Sequence, residues 1–361
     1  MTGKSTSDFE HLLERIDKSI PFLAMNPLNE SSEKRRFMKD RSYSPRFRYR
    51  EHGCSCSELM RKIERIRLDD SIINNLLKEK LEKFSKSIMM NKAIGSSDFS
   101  RCSKAIFGEP SKALIKRSKI FINHRRRREH EHIDSEETAK RVNSIISGLR
   151  LSGWNVSEKS MVAKAAVRAS EKKIYIKKGS LFCDDFIRRI VAHEIGTHVF
   201  RSENGRRQPY KLFVIGFPDY LMTEEGLAVN CEEKAGCSMA KTLKDYAGRV
   251  VAVDLALQGS FRDVFEGLKE FFDDEDSWGM ALRAKRGMGN TSRPGAYTKD
   301  YVYLEGYSRV KAFLDYKGSK GMKKLYFGKI GLEHVKLLDK IDGLVEPTFV
   351  PRKRFFTRQF L

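Results

Sequence analysis

The stretch "IVAHEIGTHVF" places two imidazoles and a carboxylate, His193, Glu194 and His198, within six residues. Side chains of these types at such spacing can hold a metal ion and keep a carboxylate beside it to move protons. The interval is one residue longer than in the H-E-x-x-H helix of zinc proteases. Four residues turn a helix through roughly 400°, which stacks both rings on one face; five turn it through roughly 500° and leave the rings about 140° apart. The spacing therefore predicts either an accidental motif or a helix widened by one residue. Gly196, costly in a helix interior, lies inside the interval, where a π-bulge would bring His198 round. Phe186, Ile187, Ile190, Val191 and Ile195 recur at helical intervals and bury the helix, which fixes its polar side chains.

About thirty residues downstream, "LMTEEGLAVNCEE" supplies carboxylates on a second helix. Glu225 is the candidate third ligand, and small Gly226 and Ala228 are expected to let its helix approach the metal. Glu224 points about 100° away and is placed for solvent or for a bond to a histidine from outside the metal. Two histidines and one glutamate leave a coordination position for water, which marks a catalytic zinc site. In that reading Glu194 accepts the proton of the water and returns it to a leaving amine, so the reaction is peptide or amide hydrolysis.

The rest of the chain must position these groups. Residues 8–24 read as an amphipathic helix, with Phe9, Leu12, Leu13, Ile16 and Ile20 on one face. The basic, aromatic segment "KRRFMKDRSYSPRFRYR" predicts an irregular connector at 31–55. Helical periodicity returns from about Ser57 to Met90, and "GSSDFS" and "GEPS" mark turns before helices at 111–121 and 135–151. The run "HRRRREHEH" at 124–132 reads as a solvated face. "MVAKAAVRASEKKIYIKK" alternates around Ile174 and Ile176 and predicts a β-hairpin turning near Ser170–Lys172. It leads into the His193 helix, and its exposed strand is suited to holding an extended peptide. From Met222 onward the pattern is mainly helical. "GMGNTS" at 287–292 follows no strand and fails as a dinucleotide loop. The expected fold is α+β and helix-rich, with an N-terminal mainly helical basic region at 1–150 packed on a catalytic domain at 151–361.

With 361 residues, 40% of them hydrophobic, the chain can fill a core. No apolar run reaches bilayer length and the N-terminus lacks an uncharged signal core, so the cytosol or nucleus is expected. Cys54, Cys56, Cys102, Cys183, Cys231 and Cys237 form no zinc-ribbon spacing and read as reduced thiols. The net charge of +22 divides into +12 for residues 1–150 and +10 for the remainder, so it is spread over the body. Such a body attracts polyanions, whether nucleic acid, anionic membrane or acidic protein.

"HEIGTH", "NGRRQP", "TEEGLA", "RAKRG" and "KDYVYLEG", in that order, resemble the H-E-x-x-x-H metallopeptidases typified by the microtubule-associated tyrosine carboxypeptidase. The similarity runs from about residue 8 to Pro351. "RAKRGMGNTSRPGAYTKDYVYLEG" is similar to the tubulin-acting eukaryotic branch, whereas bacterial relatives usually show Q-E-G-L-A in place of T-E-E-G-L-A. The resemblance implies a zincin-like core, one Zn2+ on His193, His198 and Glu225, and Glu194 as the catalytic glutamate. It also implies removal of the C-terminal tyrosine of α-tubulin, in the cytoplasm and at the cytoskeleton, by a chain expected to be a monomer. An acidic tubulin tail would account for the charge without membrane or nucleic acid. A carboxypeptidase needs a cation for the substrate's free carboxylate. Arg207, Arg283, Lys285, Arg286 and Lys299 lie in the motif segments and are the candidates, with Tyr297, Tyr301 and Tyr303 as candidate pocket walls. Two other readings stay open: the same peptidase acting on another acidic C-terminus, and a basic binding protein that keeps a non-catalytic zinc site.

Overall fold

The structure is a computed structural model that describes residues 2–20, 24–50, 56–123, 130–237, 239–352 and 355. Helices dominate, with one small sheet, which makes the fold α+β. The N-terminal part contains α1 (Thr2–Ser19), α2 (Glu30–Lys39), α3 (Cys56–Ile63), α4 (Ile72–Lys92), α5 (Phe99–Phe107), α6 (Lys112–Phe121) and α7 (Ser135–Gly148). Helix α7 starts where Asp134 accepts a hydrogen bond from the Glu137 amide, and it buries Thr138, Val142 and Ile146, four residues apart, toward the sheet.

Three expectations need correction here. The segment 31–55 is not all connector: α2 occupies its start, because Phe37 inserts fully buried between Phe261 and Phe265 at ring distances of 5.1 and 4.9 Å. Aromatic anchoring outweighed the basic composition; residues 51–55 fall outside the described residues. The single helical run at 57–90 is two helices, since Asp69 and Ser71 bind backbone and side chain at the start of α4 and end the periodicity between Ile63 and Ile72. Helix α1 ends at Ser19 instead of continuing to residue 24. The basic run at 124–132 lies mostly outside the described residues.

The hairpin is present as β2 (Ala165–Arg168) and β3 (Lys173–Lys177), with Lys172 left-handed at the turn. A third strand, β1 (Asn155–Lys159), pairs parallel with β3, giving the order β1-β3-β2. "NVSEK" has too little apolar alternation to announce itself. Beyond the sheet, α8 (Asp184–Ile190), a π-helical segment (Val191–Val199) and α9 (Phe200–Arg206) follow one another without interruption. Then come α10 (Leu212–Ile215), α11 (Leu221–Lys234), α12 (Met239–Gln258), α13 (Phe261–Lys269), α14 (Asp274–Lys285) and α15 (Val302–Leu325).

Two large hydrophobic cores result. One joins α1, α3, α4 and the sheet to the π segment, α11 and the end of α15. The other joins α2 and α6 to α12, α13 and α14. A cleft of about 920 Å³ is walled by Phe186 and Ile190 from the first core and by Tyr246, Trp278 and Leu282 from the second, and His193 and Glu194 line it.

Candidate active site

The five-residue interval is accommodated by the widened helix. In a π-helix each turn takes in an additional residue, so His193 and His198 return to one face, with ring centres 5.1 Å apart. The expected irregularity is there, and it extends over nine residues instead of a single bulge. Gly196 is required at this place for a further reason: a Cβ would lie 2.8 Å from the Phe355 ring. The Gly196 carbonyl accepts a hydrogen bond of 2.7 Å from the buried Tyr326 hydroxyl.

Helix α11 crosses beneath this segment and brings Glu225 to the histidines. Its Oε2 lies 3.5 Å from His193 Nε2 and 3.8 Å from His198 Nε2, is buried, and has no hydrogen-bond partner among the described residues. A buried carboxylate oxygen without a donor is costly, and this one faces two imidazole nitrogens. His193, Glu194 and His198 offer donor atoms within 4.8 Å of one another. The donor set of two nitrogens and carboxylate oxygen therefore fits a small divalent cation. Glu194 Oε2 is 3.9 Å from His198 Nε2, and its carboxylate makes no hydrogen bond to a described residue.

The opposite ring nitrogens are committed. His193 Nδ1 is 2.6 Å from Glu232 Oε1, and His198 Nδ1 is 2.8 Å from Glu224 Oε1, which fixes both Nε2 atoms toward the gap. Glu224 thus takes the outer role its helical angle predicted. Burial would raise the pKa of both carboxyls, but Arg201 beside Glu224 and Arg189 beside Glu232 hold them below the usual range. Arg201 is fully buried and also donates to the carbonyls of Gly328 and Ile330 at 2.9 and 2.6 Å. Glu232 additionally accepts from the Tyr246 hydroxyl at 3.1 Å. Sequence reasoning missed Glu232, although it lies seven residues, two helical turns, beyond Glu225 and so on the same stripe of α11.

Gly226 serves a different approach from the one expected. A Cβ on it would fall 2.1 Å from the backbone of Gly306, so the pair sets the crossing of α11 over α15 and not contact with a metal.

The candidate carboxylate cations separate sharply. Arg207 is exposed at the end of α9 and does not line the cleft. Lys285 is fully buried away from it, donating to the carbonyls of Ala256, Gly259 and Arg293 at 3.0, 2.5 and 2.9 Å, an internal brace with no donor left for substrate. Arg286 lies over the Tyr297 ring and 3.5 Å from Asp300. Arg283 lines the cleft, but its guanidinium is occupied by both oxygens of Asp300. Lys299 Nζ stands 3.6 Å from Glu225 Oε1. Of the three tyrosines, Tyr303 alone lines the cleft. Tyr297 packs against Phe99 and Phe107, and Tyr301 bonds the Phe107 carbonyl. Burial, then the charge of Glu225, pushes the Tyr303 phenol up to about 12, so it keeps its proton as a donor.

Comparison with known proteins agrees with these motifs. A family model described as "Microtubule-associated tyrosine carboxypeptidase" matches residues 34–358. Microtubule-associated tyrosine carboxypeptidase 1 of Rattus norvegicus is 33% identical over 175 residues, covering 45% of this chain and 35% of the relative. The Homo sapiens protein of that name is 32% identical over 174 residues, 45% of this chain and 34% of its own length. MATCAP2 of Mus musculus is 25% identical over 343 residues, 88% of this chain and 56% of its own. The matches thus span about a third to a half of the length of these curated relatives.

Proposed function

The chain belongs to the microtubule-associated tyrosine carboxypeptidase family, and on that premise we propose that it is a zinc-dependent carboxypeptidase that removes the C-terminal tyrosine of α-tubulin. The observation that carries this reading is the unpartnered Glu225 Oε2 facing two histidine Nε2 atoms at 3.5 and 3.8 Å. His193, His198 and Glu225 would hold one Zn2+ per chain in a zincin-like core. When bound, zinc supplies Lewis acidity that acidifies water and polarises the scissile carbonyl. Glu194 takes the proton from the attacking water and delivers it to the departing amine. A C–O bond forms as the C–N bond breaks, leaving a peptide shortened by one residue and free tyrosine. Tyr303 offers its phenolic proton to substrate at the cleft wall. The names of the relatives support microtubules as the partner, and thereby a cytoskeletal place of action in the cytoplasm.

A second reading, the same peptidase on a C-terminus of different composition, is favoured by the cleft lining, which carries as many acidic as basic side chains. Mass spectrometry of peptides incubated with the protein separates the two. A peptide ending in Glu-Glu-Tyr should lose a single tyrosine. Glu194→Gln should slow that loss by at least ~10²-fold while one zinc per chain is retained by metal analysis. Preferential trimming of peptides with other C-termini would establish the second reading. Equal internal cleavage of free-acid and amidated peptides would remove carboxypeptidase action altogether.

A further inference from the structure

Arg249 is a cation of the cleft that has no ion-pair partner among the described residues. It lies on α12, half-buried, and lines the cleft with His193 and Glu194. Its guanidinium makes no direct hydrogen bond or ion pair with a described residue and acts on Asp300 only at longer range, whereas Arg283 and Arg286 contact Asp300 and Lys299 stands beside Glu225. It stacks instead on aromatic faces, with its central carbon 4.8 Å from the Tyr246 ring centre and 5.0 Å from that of Tyr303. Those two rings are parallel within 8° at 5.0 Å, and Tyr246 is tied through its hydroxyl to Glu232 and Arg189. The planar group is therefore held in orientation by the same network that orients His193, while its N–H donors stay free.

We propose that Arg249 receives the free terminal carboxylate of the substrate. The inference rests on the carboxypeptidase reading and adds to it the group that makes the enzyme cut one residue from the end. The path from the His193 ring to Arg249 has two steps, 6.3 Å to the Tyr303 ring and 5.0 Å on to the guanidinium. One extended residue spans roughly 3.5 Å from the scissile carbonyl to the terminal carboxylate. A charge-assisted hydrogen bond adds about 2.8 Å. The path through the ring centres bounds the separation from above, and Arg249 stands on the same cleft wall as His193 and Glu194, where the terminal carboxylate of a bound substrate can reach it. A fork of parallel donors on a half-buried arginine binds a carboxylate bidentately and has no equivalent bond to an amide.

The test uses full-length protein carrying Glu194→Gln, so that peptide binds without turnover. An N-terminally fluorescein-labelled peptide ending in Glu-Glu-Tyr, as free acid and as amide, is titrated by anisotropy. The free acid should bind at least ~10-fold tighter. Adding Arg249→Gln should erase that preference while leaving amide affinity and zinc content unchanged, and Arg249→Lys should restore part of it. A full preference surviving Arg249→Gln would overturn the assignment and leave the carboxypeptidase reading standing with its carboxylate held elsewhere. Equal affinity for acid and amide with Arg249 present would remove the carboxypeptidase reading together with the inference.

Discussion

His193 is oriented by a relay that runs from Arg189 and Tyr246 through Glu232 to its Nδ1. An imidazole that donates one N–H to a carboxylate presents its other nitrogen at a fixed angle and with raised basicity. Glu232→Gln preserves shape and hydrogen-bonding capacity but removes that charge. Its expected effect is a 10- to 100-fold weaker zinc affinity, measured by competition with a chromophoric chelator. An unchanged affinity would reduce Glu232 to a counter-ion for Arg189. Arg201 acts likewise through Glu224 on His198, and neither arginine could be singled out in advance. Their partners lie more than twenty residues away in the chain.

At the level of elements, the site depends on how closely α11 is pressed onto α15. With a Cβ only 2.1 Å from the Gly306 backbone, Gly226→Ala forces the two helices apart. Overpacking of this kind should cost about 3 kcal/mol or more, read as a lower urea midpoint, and weaken zinc binding because Glu225 is the preceding residue. An undisturbed midpoint would show that the crossing is not rigid.

Helix α4 carries the opposite kind of stress. Lys80 is buried over the rings of Phe84 and Tyr220, at 4.8 and 5.1 Å, and burial brings its pKa down to about 8 from the usual 10.5. Below pH 8 both folded and unfolded chains hold the proton, and the folded state bears the full cost of the buried charge. Between about 8 and 10.5 the unfolded chain alone retains it, so folding stability rises with pH across that window. Lys80→Met should accordingly stabilise the protein by about 2–3 kcal/mol at pH 7. The gain should vanish by about pH 10.5, as denaturation at several pH values would reveal. Lys285 is clasped by three carbonyls, yet burial still brings its pKa down to about 7.

Over the whole molecule the charge of +22 and the cleft behave differently. The excess is distributed along the entire chain, whereas the cleft lining balances acids against bases. Attraction of an acidic tail is thus a property of the body at long range and is screened by salt, while events inside the cleft are sheltered from it. Raising salt from 50 to 300 mM should increase the KM for tubulin severalfold and change kcat by less than about twofold. A kcat that falls in step with capture would place the sensitive contacts in the cleft. No helix among the described residues is long and apolar enough to cross a membrane.

The sequence alone determined what depends on local order. An interval of five from His193 to His198, with glycine inside, required a widened helix, and the angle between Glu224 and Glu225 on one helix separated an outer from an inner carboxylate. The hairpin and most helices followed from periodicity. Contacts between distant segments lay beyond it. The split of 57–90, the burial of α2 through Phe37, the pairing of β1 and the Gly226–Gly306 crossing each depend on a partner remote in the chain. The cations show this most clearly. Arg283, Lys285, Arg286 and Lys299 lie in the motif segments, yet Asp300, three backbone carbonyls and Glu225 occupy them, and Arg249, outside those motifs, lines the cleft with no direct ion pair among the described residues. A charge in a sequence has no partner assigned to it, and only packing in three dimensions decides which charges are neutralised and which remain free to bind.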